Sequence, residues 1–221
     1  MPSSLSPFFN AKGVAILGAS TNPKKLSYGI LENLLSNGYQ GEIYPVNPNA
    51  ESILGKKAFA SVADVPDPVE LAIVVLPVTI IIETMREIGK RGIKTVVIIT
   101  GGFKELGPEG AELEKSVKKL AEEYGMRVVG PNCVGTLDVR SGLNSTFIKG
   151  VPAAGPIAFI SQSGAICGGV IDLIVDSNIG FSHIASLGNM MDVTETDMLE
   201  YFAMDENVKV IAMYVEGLSD G

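Results

Sequence analysis

Ser161-Gln162-Ser163-Gly164 stand between an apolar run ending at Ile160 and an amphipathic run that begins with Gly164 and Ala165. Hydroxyl, amide and glycine positions at a strand-to-helix turn suit either nucleophilic catalysis or anion binding. A serine elbow wants Gly-x-Ser-x-Gly and a base to take the proton. Here the order is Phe-Ile-Ser-Gln-Ser-Gly, and the sole histidine, His183, lies inside a later apolar run. A catalytic triad is therefore set aside. A helix beginning near Ser163 offers free amides and the positive end of its dipole, with Gly164, Gly168 and Gly169 permitting close approach. This turn reads as a phosphate or anion site over residues 161–165, with simple capping as the alternative.

A similar turn, Gly18-Ala19-Ser20-Thr21-Asn22, follows the first apolar run, VAILG. It has the place of a dinucleotide fingerprint without the G-x-G-x-x-G spacing, and the next strand ends Pro45-Val46-Asn47-Pro48 with no acid for a ribose diol. NAD is disfavoured. Ser20 and the amides can still hold a phosphate, with charge from Lys24 or Lys25; a plain turn with solvated lysines is the alternative. Pro77 to Thr79, Thr100-Gly101-Gly102-Phe103 and Pro131-Asn132-Cys133 also fall at the carboxyl ends of apolar runs, where open α/β sheets collect ligands. Together they predict a crevice for an extended ligand with phosphates and an apolar or amide arm. Glu216 ends the last apolar run and can orient a base or a phosphorylated group, or be an ordinary strand-end acid.

Cys133 and Cys167 have neither metal-ligand nor disulfide spacing and read as small buried residues of a protein in a reducing cytoplasm. No metal site is expected. His183 reads as structural, and Met190, Met191 and Met198 as core filler. Asn144-Ser145-Thr146 matches a glycosylation acceptor by chance, since no secretory signal precedes it.

The elements that must position these residues alternate. After a polar, poorly structured start over residues 1–12, strands are predicted at 14–18, 42–46, 70–76, 94–100 and the run beginning at Met126. Helices are predicted at 22–38, through Ile81 to Gly92, and at about 110–124. Asn22 serves as the first N-cap, with Pro23 opening the helix. Continuous apolar strands alternating with helices argue for an α/β fold with a parallel sheet covered on both faces. The glycines and prolines between 130 and 156 read as an ordered connection. The alternation then restarts with strands in PIAFI, FSHIASL and VKVIAMYVE and helices after Gly164 and after Thr194 or Thr196. The expected units are 1–130, a connection at 131–156, and 157–221. Three strands leave apolar edges uncovered, so this unit is expected to continue beyond Gly221 or to be completed by a partner.

The 221 residues carry a formal charge of −8, with 46 % hydrophobic and 19 % charged positions. An acidic chain is a poor partner for nucleic acid, and no apolar run reaches the roughly 18 residues of a membrane span.

GASTNPKKLSYGILENL, GEIYPVNPN, AIVVLP, GGFKELGPEGAELE, GPNCVG, GLNSTF, IAFISQSGA, ASLGN and YVEGLSDG follow in that order. Over residues 8–221 the chain resembles the α subunit, or α-like N-terminal part, of NDP-forming acyl-CoA synthetases, the ADP-forming acetyl-CoA synthetase group related to succinyl-CoA synthetase. The resemblance implies a Rossmann-like CoA-binding domain followed by a flavodoxin-like ligase domain. It further implies interconversion of acyl-CoA, NDP and phosphate with acid, CoA and NTP through an acyl phosphate and a phosphohistidine. Ser20 and Lys24 or Lys25, beside Gly18, match the family's diphosphate-side CoA contacts, and Val46 and Asn47 match the adenosine loop. Pro77, Thr100 and Asn132 match positions facing the rest of CoA. Ser163, Gly164 and Ala165 match the phosphate-binding helix N-terminus shaped by Ser161 and Gln162, while Glu216 matches the glutamate that supports the phosphohistidine. Two departures stand out: Asn49 replaces a lysine common after PVNP, and His183 is not the family's catalytic histidine, which lies beyond the glutamate. The expected partner is a β subunit or fused ATP-grasp part holding Mg and ADP or ATP, and a homo-oligomer is left open. A CoA-binding regulatory module of a protein acyltransferase and an NAD(H)-binding redox sensor are the competing expectations.

Overall fold

The computed structural model describes residues 4–218; the three-residue C-terminal end of the 157–221 unit falls outside that range. In chain order the elements are α1 (Pro7–Asn10), β1 (Gly13–Leu17), α2 (Leu26–Ser36), β2 (Glu42–Val46), β3 (Ser52–Ile53), β4 (Lys56–Lys57), β5 (Leu71–Val74), α3 (Ile81–Arg91), β6 (Thr95–Ile98), α4 (Pro108–Tyr124), β7 (Arg127–Val129), β8 (Gly135–Asp138), β9 (Ala154–Ser161), α5 (Gly164–Val175), β10 (Phe181–Ser186), α6 (Glu195–Ala203) and β11 (Val210–Tyr214). The first sheet is parallel throughout, in the order β2-β1-β5-β6-β7. Its strands β1, β5 and β6 are buried at every residue, as apolar strands covered on both faces must be. The helices α2, α3 and α4 supply the crossovers from β1 to β2, β5 to β6 and β6 to β7, while the chain passes from β2 to β5 through the β3–β4 hairpin.

The second sheet runs β11-β9-β10-β8, with β8 antiparallel to β10 and the rest parallel. Two expectations change here. The segment from 131 to 156 is more than a connection, because Gly135–Asp138 forms a buried edge strand of this sheet. The second unit therefore has four strands of mixed direction. Its sequence, GTLD, carries too short an apolar stretch to announce a strand. The β3–β4 hairpin is likewise too short to leave a periodic signal.

Two other boundaries shift. The predicted helix at 22–38 begins only at Leu26, because the Asn22 carboxamide closes a turn by accepting from the Lys24 amide at 2.9 Å. Asx turns of this kind compete with helix at the same position. The start of the chain, read as poorly structured, contains α1, whose Phe8 and Phe9 are fully buried.

Phe9 holds the two units together. Its ring stacks on Tyr201 and meets Phe202 and the edge of His183, each at 5.2 Å between centroids. Beside it Arg127, on the last strand of the first sheet, reaches Asp192 and Asp197 at 3.0 Å each. The Val193 amide donates to the Val128 carbonyl, continuing the seam. One buried cluster accordingly contains Val14, Ile73 and Val129 from the first unit with Ala158, Ile160 and Phe202 from the second. Met191 and Met198 are buried as expected of core residues, and Asn144, Ser145 and Thr146 are buried too. No helix among the described residues is long and apolar enough to cross a membrane.

Candidate functional site

β1 hands the chain to β2 on one side and, through β2, to β5 on the other, so loops leave the β1/β5 boundary in opposite directions. A crevice opens at such a point beyond the carboxyl ends of the strands. Here it is a cavity of about 860 Å³. Leu17 to Ser20 and Lys25 to Ser27 form one wall, Val46 to Asn49 and Ala60 to Val62 a second, and Val75 to Pro77 with Ile99 to Gly101 a third. Gly18 has φ +88°, and a Cβ there would lie 2.6 Å from the Val75 carbonyl oxygen. Only glycine lets β1 leave the sheet this close to the end of β5. No side chain caps α2, whose N-terminal Leu26 and Ser27 line the cavity. Its free amides and dipole favour an anion there.

Of the residues singled out from sequence, Gly18, Ser20, Lys25, Val46, Asn47, Pro77 and Thr100 line this one cavity, whereas Lys24 and Asn132 are not among its lining. Asn132 stands just behind the wall: a Cβ on Gly101 would be 3.0 Å from its Oδ1. The Asn47 carboxamide is already employed, donating to the Ala19 carbonyl at 2.8 Å and accepting from the Asn49 amide at 2.8 Å, so it shapes the turn. Thr100 donates its hydroxyl to the Leu76 carbonyl at 2.7 Å. Ile80, Thr84 and Glu87 also line the cavity. Sequence reasoning passed over them; the only available signal was that Ile80, Thr84 and Glu87 recur at helical spacing after Pro77.

The second cluster forms where β9 ends. Ser163 caps α5, its Oγ accepting from the Ile166 amide at 3.4 Å, and Ser161 donates its hydroxyl to the Ser163 carbonyl at 2.8 Å. Gln162 is buried, and both ends of its carboxamide are engaged. Its Oε1 accepts from the amides of Glu216 at 2.8 Å and Gly217 at 3.1 Å, while Nε2 donates to the Gly217 carbonyl at 2.9 Å. These bonds bring Glu216 beside the turn. β11 ends at Tyr214, however, so Glu216 sits two residues beyond the strand and is exposed. The side chains of Ser161 and Gln162 are thus spent on the turn, leaving α5 amides at Gly164 and exposed Ala165 as the anion-facing groups.

The two clusters adjoin. Val134 follows Asn132 by two residues, and a Cβ on Gly164 would be 3.3 Å from Val134 Cγ2. The Val134 amide donates to Ser186 Oγ at 3.1 Å, and a Cβ on Gly188 would strike the Pro131 and Asn132 carbonyls. One stretch, Asn132 to Val134, therefore touches the cavity wall at one end and the capped helix start at the other.

Other candidate chemistry falls away. Burial pushes the thiols of Cys133 and Cys167 up to about 12, which keeps them protonated and poor nucleophiles. Burial depresses the basicity of His183 against the pull of Asp138, and its ring sits between Asp138 and Asp205, 3.8 Å from each. Among the described residues no cluster of His, Cys, Asp and Glu could hold a metal.

Residues 12–138 match the family described as "CoA binding domain", and residues 154–221 match "Succinyl-CoA ligase like flavodoxin domain". The chain is 47 % identical over 218 residues to the acetate–CoA ligase [ADP-forming] II subunit alpha of Pyrococcus furiosus, covering 98 % of this chain and 47 % of that protein. It is 42 % identical to the 4-hydroxybutyrate–CoA ligase [ADP-forming] of Nitrosopumilus maritimus, covering 98 % of this chain and 31 % of that protein. A structure of the dinucleotide-forming acetyl-coenzyme A synthetase 1 of Ca. Korarchaeum cryptofilum in complex with phosphate and ADP superposes with a TM-score of 0.94 at 42 % identity, over 98 % of this chain and 46 % of that one. The chain spans about half the length, or less, of the relatives it matches.

Proposed function

The chain belongs to the CoA-binding-domain family and matches the α part of ADP-forming acyl-CoA synthetases, and from that premise we propose that it binds CoA and phosphate for an acid–CoA ligase. Acyl-CoA, ADP and phosphate are interconverted with acid, CoA and ATP, acetate being the favoured acid. Residues 1–130 serve as the CoA unit, and the flavodoxin-like unit from 157 onward serves as the phosphate unit. The observation that carries this reading is the shared stretch Asn132 to Val134, which sets a long cavity and a capped helix N-terminus side by side.

The chemistry needs that adjacency. A phosphate oxygen attacks the thioester carbonyl, the C–S bond breaks, and CoA leaves as the thiol while an acyl phosphate forms. In our reading Gly18, Ser20 and Lys25 take the CoA diphosphate at the α2 N-terminus, Val46 and Asn47 shape the adenosine end, and Pro77, Thr100 and Asn132 face the arm. Ser163, Gly164 and Ala165 hold the attacking phosphate, whose charge fixed amides stabilise without reorganisation. Glu216, kept close by Gln162, orients the group that receives the phosphoryl next. Lys24 supplies long-range charge. In the family resemblance that receiver is a histidine, and Mg with ADP or ATP belongs to a β subunit or fused ATP-grasp part.

Apolar residues exposed on the edge strand β11 and on α5 support such a neighbour: Val210 is 53 % and Leu173 75 % exposed. Two unpaired, buried cysteines accord with a cytoplasmic protein. Titration calorimetry with CoA and with NADH tests the reading. CoA binding with no NADH response is expected; NADH binding without CoA sinks it.

A further inference from the structure

Beyond Gly101, Ser186 and Gly188, the motifs GGFKELGPEG and ASLGN have no part in the site as described, yet they meet across the seam. Asn189, in the turn after β10, is buried to 8 % exposure. Its one amide nitrogen donates to two carboxylates of the first unit, Glu105 Oε2 at 2.7 Å and Glu114 Oε2 at 2.8 Å. Glu105 turns its other oxygen back on the turn that follows the cavity wall, accepting from the amides of Gly102 and Phe103. A Cβ on Gly101, which lines the cavity, would lie 3.1 Å from that oxygen. Lys104 closes the group, donating to the Asn189 carbonyl and standing 3.5 Å from Glu114.

Two carboxylates held on one amide repel each other once the amide is gone. Burial works to raise the Glu105 carboxyl, but the Asn189 donor and the Gly102 and Phe103 amides outweigh it and hold the group below its ordinary range. A glutamate so held is ionised, so the repulsion is present at neutral pH.

We propose that Asn189 is a positioning residue for the arm of CoA: from the second unit it pins Glu105, and through Glu105 the Gly101–Phe103 turn, whose Gly101 lines the cavity at the end that adjoins the phosphate turn. The inference rests on the CoA reading above. Without Asn189, Glu105 swings away from Glu114 into solvent, the Gly102 and Phe103 amides lose their acceptor, and that turn relaxes. The other end of the cavity, at Gly18 to Ser20 and Asn47, shares none of these bonds.

The test titrates two probes, CoA and adenosine 3′,5′-bisphosphate, into the wild-type chain and into Asn189→Ala and Glu105→Gln. Glu105→Gln keeps an oxygen for the Gly102 and Phe103 amides but turns a donor toward Asn189. It serves as the milder variant should Asn189→Ala unfold, and a thermal melt of each reports folding. CoA affinity should fall by about tenfold in both, the loss expected of one charge-assisted hydrogen bond, while the nucleotide fragment stays within about twofold. Unchanged CoA affinity, or equal weakening of both probes, overturns the proposal. Failure of the wild type to bind either probe overturns the CoA reading itself, and with it this inference.

Discussion

The carboxyl edges of the two sheets differ in what their own unit supplies. Around the first, three walls from β1, β2, β5 and β6 line a cavity, and β1, β5 and β6 beneath it are buried throughout. Around the second, β11 lies at the sheet edge with Val210, Met213 and Tyr214 exposed. The turn is preset there by hydrogen bonds alone, from Ser161, Gln162 and Ser163. The first edge takes all its walls from its own sheet and loops; the second takes its remaining wall from whatever covers the edge.

The sharpest way to break this contrast is Phe9→Ala. Phe9 precedes the first sheet in sequence but packs on Tyr201 and Phe202 of the second unit. Truncating a fully buried phenylalanine costs about 3–5 kcal/mol. Denaturant unfolding should show that loss, with the second unit destabilised more than the first. Equal loss in both would mean that the two edges share one rigid frame.

Gln162→Ala comes next. It removes three hydrogen bonds between the turns after β9 and β11. The amides of Glu216 and Gly217 are exposed and regain water, so the cost is modest, about 1–2 kcal/mol by thermal melting. Functionally the variant should free Glu216, slowing phosphoryl transfer in the assembled enzyme without touching CoA affinity. Ser163→Ala is smaller again, about 1 kcal/mol for a lost cap, with phosphate binding weakened and CoA binding within about twofold. Equal loss of both ligands would erase the division between the two edges.

The first edge was legible because its signals are local. VAILG, AIVVLP and KTVVIIT mark strands by composition, and strand ends are where ligands gather, so the sequence alone groups Gly18, Ser20, Val46, Pro77 and Thr100. What the sequence does not contain is how Asn47 serves that loop, because its side chain's hydrogen bonds to Ala19 and Asn49 depend on loop geometry that types and spacing do not carry. The seam was illegible for a related reason. Phe8 and Phe9 form a pair too short to show a period, and β8 is held by its partner β10 and not by its own propensity. Asn189 and Glu105 are 84 positions apart. Only the folded chain makes them neighbours.

Acid gives the gentlest separation of the two regions. Burial works to raise the Asp205 carboxyl, but the Arg140 guanidinium and two contacts from Asn207 outweigh it and hold the group at about 2, against an ordinary 3.8. Asp197 is likewise lowered: burial opposes the shift, while the Thr194 amide and hydroxyl and Arg127 impose it. A carboxylate whose folded value lies below its unfolded one stabilises the fold above the unfolded value, and that contribution disappears as pH falls through the folded one. For Asp205 the window runs from just under pH 4 down to about pH 2. Both acids face the seam or the second unit, so amide exchange in that window should rise first at Met191 and Val193, whose N–H groups bond to Gly130 and Val128 across the seam. β1, which no such pair supports, should remain protected. Asp205→Asn should flatten the thermal-melt dependence between those pH values; an unchanged slope would assign acid sensitivity to carboxylates elsewhere and leave the seam no weaker than the sheet.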